Sequence, residues 1–133
     1  MRTKSMVAAL LGVGAAWSVH AHDLSIDECT EGGDFIRNAA LSRDYGVTRE
    51  DFIGRMHGDL QAIRAFPPEM RWFVQDDDDE GFLLTHAERV FDAPGVPESH
   101  ENDFLQACFL RIGEQARLHE DGIRAARANE LDK

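Results

Sequence analysis

"SIDECTEGGDFIRNAALSRDYGVTRED", Ser25 to Asp51, carries a start, a stop and a second start for helices within 27 residues. Ser25 stands three residues before Glu28, the spacing at which a hydroxyl and a carboxylate satisfy each other's free backbone N–H groups at a helix N-terminus. Cys29, Gly33, Ile36 and Ala40 then recur at intervals of four, three and four, flanked by Ile26, Gly32 and Ala39, so one side is apolar and unusually small. That pattern predicts a helix to about Asp44 that admits another helix at short range. Gly46 suits the left-handed position that ends a helix, and Thr48 with Asp51 repeats the cap, with Val47 and Phe52 placed as a hydrophobic staple.

The same grammar continues downstream. Phe52, Ile53, Met56, Leu60 and Ile63 mark the inner side of a second helix running to Phe66, where Pro67-Pro68 ends it. Proline is welcome in a first helical turn, so Pro68 to Val74 is expected as a short helix. After the acidic run, Phe82, Leu83, Ala87 and Val90 define a fourth helix to about Phe91. Asp92 to Pro97 reads as a loop, and Phe104, Leu105, Cys108 and Ile112 place a fifth helix over about 98–112. The expected fold is all-α, a compact bundle of about four to five short helices. No repeat and no sustained period-two segment argues for a sheet.

Three segments follow. Residues 1–21 are read as a signal peptide, because Arg2 and Lys4 precede the apolar run Met6 to Trp17, and Val19-His20-Ala21 offers a cleavage site. Residues 22–112 form the helical domain. Residues 113–133 form a polar C-terminal tail, a frayed or solvent-exposed helix or a disordered segment. The apolar run is shorter than the roughly 20 residues a membrane helix needs, so a soluble periplasmic or secreted protein is expected, with no membrane association after cleavage.

In an exported chain two cysteines without a C-x-x-C favour a disulfide, here Cys29 to Cys108, which joins the first and last core helices. From residue 22 onward the chain has 25 acidic against 12 basic residues, a formal net charge of −13. Nucleic-acid binding needs clustered Lys and Arg and is excluded on that balance. A strongly acidic surface keeps a small exported protein soluble, and it also attracts a protein partner with a basic surface. The sequence sets no oligomeric state.

The stretch "RWFVQDDDDEGF", Arg71 to Phe82, is the candidate site. Its simplest role is helix capping, since carboxylates stabilise a helix N-terminus. As a recognition surface it would use Arg71, Trp72, Asp76, Asp77, Asp78, Asp79 and Glu80, because an aromatic and an arginine beside a charged cluster compose an interaction hot spot. The alternative is a divalent cation, above all calcium, held by Asp76, Asp78 and Glu80 with Gly81 at the sixth loop position. Ala87 then occupies the twelfth position, which requires a bidentate Glu. Shifting by one residue brings Glu88 there but puts Phe82 at the glycine position.

Other chemistries find less support. His57, His86, His100 and His119 are spaced without an i, i+4 pair, which makes them surface or partly buried single residues rather than zinc ligands. Cleavage after Ala21 would leave His22 first, an amine and imidazole able to hold copper, but known braces of that kind need a second histidine. No G-x-S-x-G and no phosphate loop occurs, so no catalytic residue, no enzymatic activity and no cofactor is expected.

"FIRNAALSRDYGVTREDF" and "AIRAFPPEMRWFVQDDDDEGFLLTHAERVFDAP", with one cysteine ahead and one behind, resemble small uncharacterised exported (periplasmic) helical proteins of proteobacteria. The resemblance covers most of residues 25 to 112 and implies a small exported helical protein. Periplasmic acid-stress chaperones and toxin-immunity proteins share the plan of signal peptide, short helices and one disulfide. The cysteine separation here is longer than in the acid-stress chaperones, and no functional residue carries over from either group. The expected function is binding of another protein through the acidic and aromatic surface.

Overall fold

The computed structural model describes residues 22–132; the expected signal peptide lies outside them. Among the described residues there are four α-helices and no strand: α1 (Ile26–Asp44), α2 (Arg49–Ile63), α3 (Asp77–Asp92) and α4 (Pro97–Leu131), with a 3₁₀ turn at Pro68–Met70. The fold is an all-α bundle. None of these helices is long and apolar enough to cross a membrane.

The capping box at α1 is closed in both directions. Glu28 N–H donates to Ser25 Oγ at 3.2 Å, and Ser25 N–H donates to Glu28 Oε2 at 2.9 Å. At the other end Gly46 takes φ 95°, Val47 N–H reaches Ser42 O at 3.0 Å and Gly46 N–H reaches Arg43 O at 2.9 Å. These two bonds satisfy carbonyls that the helix leaves open, and they need a residue that tolerates positive φ between them. Thr48 Oγ1 accepts from Asp51 N–H at 3.1 Å and starts α2.

Three boundaries differ from the sequence reading, each for a local reason. Helix α2 ends at Ile63 rather than Phe66, because Pro67 has no N–H to give the Ile63 carbonyl; Phe66 N–H takes it instead at 3.0 Å, tightening the last turn. The segment after Pro67 keeps helical geometry only for Pro68–Met70. Beyond it the backbone turns extended at Arg71, and Phe73 and Val74 are buried in the core. Helix α4 does not end at Ile112 but continues as one helix to Leu131, so the polar tail shares an element with the bundle. Gly113 weakens a helix by roughly 1 kcal/mol without forcing a stop, and the alanines, arginines and leucines after it are good helix formers. Ile26, expected to flank the apolar side of α1, is exposed.

The core is organised around α1 against α4. A Cβ on Gly32 would lie 2.5 Å from Phe104 Cζ, and one on Gly33 would lie 3.0 Å from Leu105 Cδ2, so the absent side chains set the distance between the helices. Cys29 and Cys108 bridge the same pair, with Cα atoms 5.7 Å apart. Phe104 then packs at a tilt against Phe73 at 5.6 Å and Phe82 at 5.2 Å between ring centroids, and Ile36, Leu83 and Val90 complete the buried centre. Phe35, Phe52, Phe91 and Trp72 form a second aromatic layer at its edge.

Candidate functional site at the start of α3

The acidic run divides into residues with different tasks. Asp76 is the N-cap of α3, its Oδ1 accepting from Asp79 N–H at 2.8 Å. Three residues on, Asp79 turns inward and its side chain is only 1% exposed. Its Oδ2 accepts from His22 Nδ1 at 2.8 Å and from Gln75 N–H at 3.2 Å, while Oδ1 faces Arg111 Nη2 at 3.4 Å. Glu80 is paired with Arg64 at the end of α2. Asp77 is 98% exposed, with Arg64 Nη2 no closer than 3.8 Å, and Asp78 is exposed as well.

Burying a carboxylate is tolerable only where charges and donors surround it. Arg111 supplies one such charge from α4, its guanidinium lying over the Phe82 ring at 4.5 Å, where flat cation and aromatic face attract. Arg111 Nη1 is buried there without a hydrogen-bond partner among the described residues. His22 supplies a donor through Nδ1, and its Nε2 is 3.0 Å from Glu28 Oε1. The strap that brings His22 in is clasped by Gln115, which accepts from Leu24 N–H and donates to the His22 carbonyl, both at 3.1 Å. Leu24 is buried beneath it.

The structure therefore separates the residues singled out from the sequence. Arg71 does not reach outward: its guanidinium binds the carbonyls of Phe66 at 2.7 Å, Gln75 at 2.9 Å and Arg64 at 3.0 Å, holding the whole connection between α2 and α3. Trp72 is half-buried against Phe35 and Phe73, so it belongs to the aromatic layer and not to an exposed ledge. Asp79 is likewise withdrawn from any surface. The exposed apolar side chains of this region are Phe66 and Met70. A depression lined by Arg64, Arg71, Val74, Gln75, Asp76, Asp77 and Glu80 lies beside the acidic rim.

Asp76, Asp78 and Glu80, the carboxylates of the calcium reading, do not converge: one caps the helix, one faces solvent and one pairs with Arg64. Among the described residues no group of three or more His, Cys, Asp or Glu is arranged to hold a metal ion. Both ring nitrogens of His22, the copper candidate, sit against carboxylates.

Two histidines are more buried than expected. His86 packs at a tilt against Phe82 at 4.7 Å and meets Phe104 edge-on, and burial, reinforced by Arg89, pushes its pKa down to about 4. His100 lies under the Gly95 turn with Nε2 3.3 Å from Arg43 Nη1; burial first and Arg43 second lower its pKa. The position of His86 three residues after Leu83 and four before Val90 already placed it on the inner side of α3. Nothing comparable in the sequence pointed from Asp79 to His22 and Arg111, which are 57 and 32 residues away.

No family model, curated protein or solved structure matches the chain.

Proposed function

We propose that this is an exported, non-enzymatic protein that binds another protein through the rim formed by the start of α3 and the α2–α3 connection. The observation that carries the reading is the division of labour within one acidic run. Asp79 and Asp76 fix the helix start, while Asp77 and Asp78 are left in solvent with no partner among the described residues closer than the 3.8 Å approach of Arg64. Rigidly placed charges lose little freedom on binding, which makes them better recognition groups than charges on a mobile loop. Phe66 and Met70 add exposed apolar surface on the connection that Arg71 holds in shape. The matching partner carries lysines or arginines around an apolar patch, as complementary potentials across an interface require. Export to the periplasm or beyond, directed by the N-terminal segment and resembling that of other small proteobacterial helical proteins, places the partner in the cell envelope or outside it. The Cys29–Cys108 bridge is compatible with that oxidising setting.

The test is affinity capture from envelope extracts with the parent and with Asp77→Asn/Asp78→Asn, both checked for unchanged melting. Loss of a specific partner, with recovery of that partner at low but not high salt by the parent, supports the reading. An identical set of partners for both proteins removes it.

A further inference from the structure

We infer that the free part of α4 is a homodimerisation element that pairs antiparallel with the same helix of a second copy. Every residue from Ala116 to Asp132 is exposed, so the last four turns of α4 leave the bundle without tertiary support from the described residues. Isolated helices of about that length are marginal in water. A second helix alongside would supply the missing contacts.

The spacing of the apolar residues says which side is used. In the free part Ala116, Ile123 and Ala126, with His119 between them, stand at intervals of three and four on one side, the spacing of a two-helix seam, and continue the line of Leu105, Phe109 and Ile112 from the bundle; an antiparallel copy centred beside Ile123 covers the free part alone, with Ile123 as the large apolar side chain at its middle. Leu105 and Ile112 are partly buried where the seam leaves the bundle, while Phe109 and Ile123 are 45% and 44% exposed.

Charge selects a second copy and its direction. From residue 22 to 113 there are 20 acidic against eight basic residues, and two such bodies repel. From Glu114 to Leu131 there are four acidic residues and three arginines, so the repulsion is least along this helix. On one flank of the seam stand Glu120 and Arg127, seven residues apart; the other flank carries Gln115, Gly122 and Asn129. A parallel pair would set each charged flank against the uncharged one. An antiparallel pair with its twofold axis beside Ile123 sets Glu120 against Arg127 of the second copy, twice, and brings His119 opposite Glu130. The surface is thus complementary to itself, as a twofold interface must be.

Sedimentation velocity from micromolar to several hundred micromolar protein tests this directly. A monomer–dimer equilibrium is expected, weakened at least tenfold by Ile123→Asp and by either Arg127→Glu or Glu120→Arg alone, and restored by the double reversal Glu120→Arg/Arg127→Glu. These positions lie outside the bundle, so unchanged melting of the disulfide-closed domain confirms that each variant is folded. A chain that stays monomeric throughout overturns the inference. So does a dimer indifferent to Ile123→Asp, or a double reversal no better than the single ones.

Discussion

Replacing Asp79 by Asn keeps the shape of the side chain and removes one negative charge, as the same change at Asp77 or Asp78 does, yet the consequences should differ several-fold. Asp79 is 1% exposed and receives three donors, from His22, Gln75 and Arg111. An amide has one acceptor oxygen and turns an N–H₂ toward groups that are themselves donors. At least one donor loses its partner, and Arg111 loses its only carboxylate among the described residues while one of its nitrogens is already unpartnered. Breaking a buried ion pair costs about 3–5 kcal/mol. His22 and Arg111 keep 13% and 22% of their side chains in contact with water, which can compensate part of that loss. The expected loss is about 2–3 kcal/mol, a fall in melting temperature of roughly 10–15 °C for a domain of this size. Asp77→Asn and Asp78→Asn should stay within about 0.5 kcal/mol of the parent, the usual range for exposed positions. Thermal and urea denaturation at pH 7 followed by circular dichroism, with the disulfide intact, reads all three. Hydrogen exchange at Leu24 should rise in Asp79→Asn alone, since the strap loses its hold on His22. If Asp79→Asn unfolds no earlier than Asp77→Asn, the buried charge cluster does not stabilise this protein and the account of α3 is wrong.

Two further outcomes follow from the fold. Reduction of the bridge, or Cys29→Ser/Cys108→Ser, opens a loop closed at a sequence separation of 79 and should cost about 4–5 kcal/mol by chain entropy, measured as the shift in urea midpoint with and without reductant; a shift below about 1 kcal/mol would mean the reduced chain remains as confined as the oxidised one. His86 is neutral when folded and its pKa is lowered to about 4, so the unfolded chain binds a proton there between pH 6.5 and 4 that the native protein does not. Stability is therefore fully present above pH 6.5 and falls toward pH 4, by on the order of 2 kcal/mol from this residue. Denaturation midpoints at pH 7 and 4.5 should show a shallower fall in His86→Leu than in the parent, and parallel falls would count against the buried ring as the cause.

Much of this architecture was legible because its signals are local. Ser25 with Glu28, Gly46, and Thr48 with Asp51 each specify a helix end through residues no more than three apart, and the structure places the ends of α1 and the start of α2 at those residues. The disulfide was legible for another reason, that only two cysteines exist and both fall on inner faces. What was not legible was that the exposed helix read for the tail continues the last core helix unbroken through Gly113, and which members of a charged run face inward. Four adjacent aspartates spread around the helix, and residue type alone does not distinguish Asp78 from Asp79. That distinction depends on His22 and Arg111 arriving from distant elements. Trp72 misled in the opposite sense, since its neighbours suggested a surface while Phe35, 37 residues earlier, supplies the ring it packs on.

The bridge between α1 and α4 also decides how the molecule would respond to mechanical load. Tension applied between the strap at His22 and the far end of α4 travels along Cys29 and Cys108 and bypasses everything between them. Helices α2 and α3, and with them the acidic rim, lie inside the closed loop and remain slack while the outer segments are drawn straight. At roughly 3.4 Å per residue that loop conceals about 270 Å of contour. A chain tethered at both ends would keep α2 and α3 out of the load path for as long as the sulfur–sulfur bond survives, while His22 and Arg111, which lie on the outer segments, would be drawn away from Asp79 first; it would lengthen abruptly once the bond is reduced.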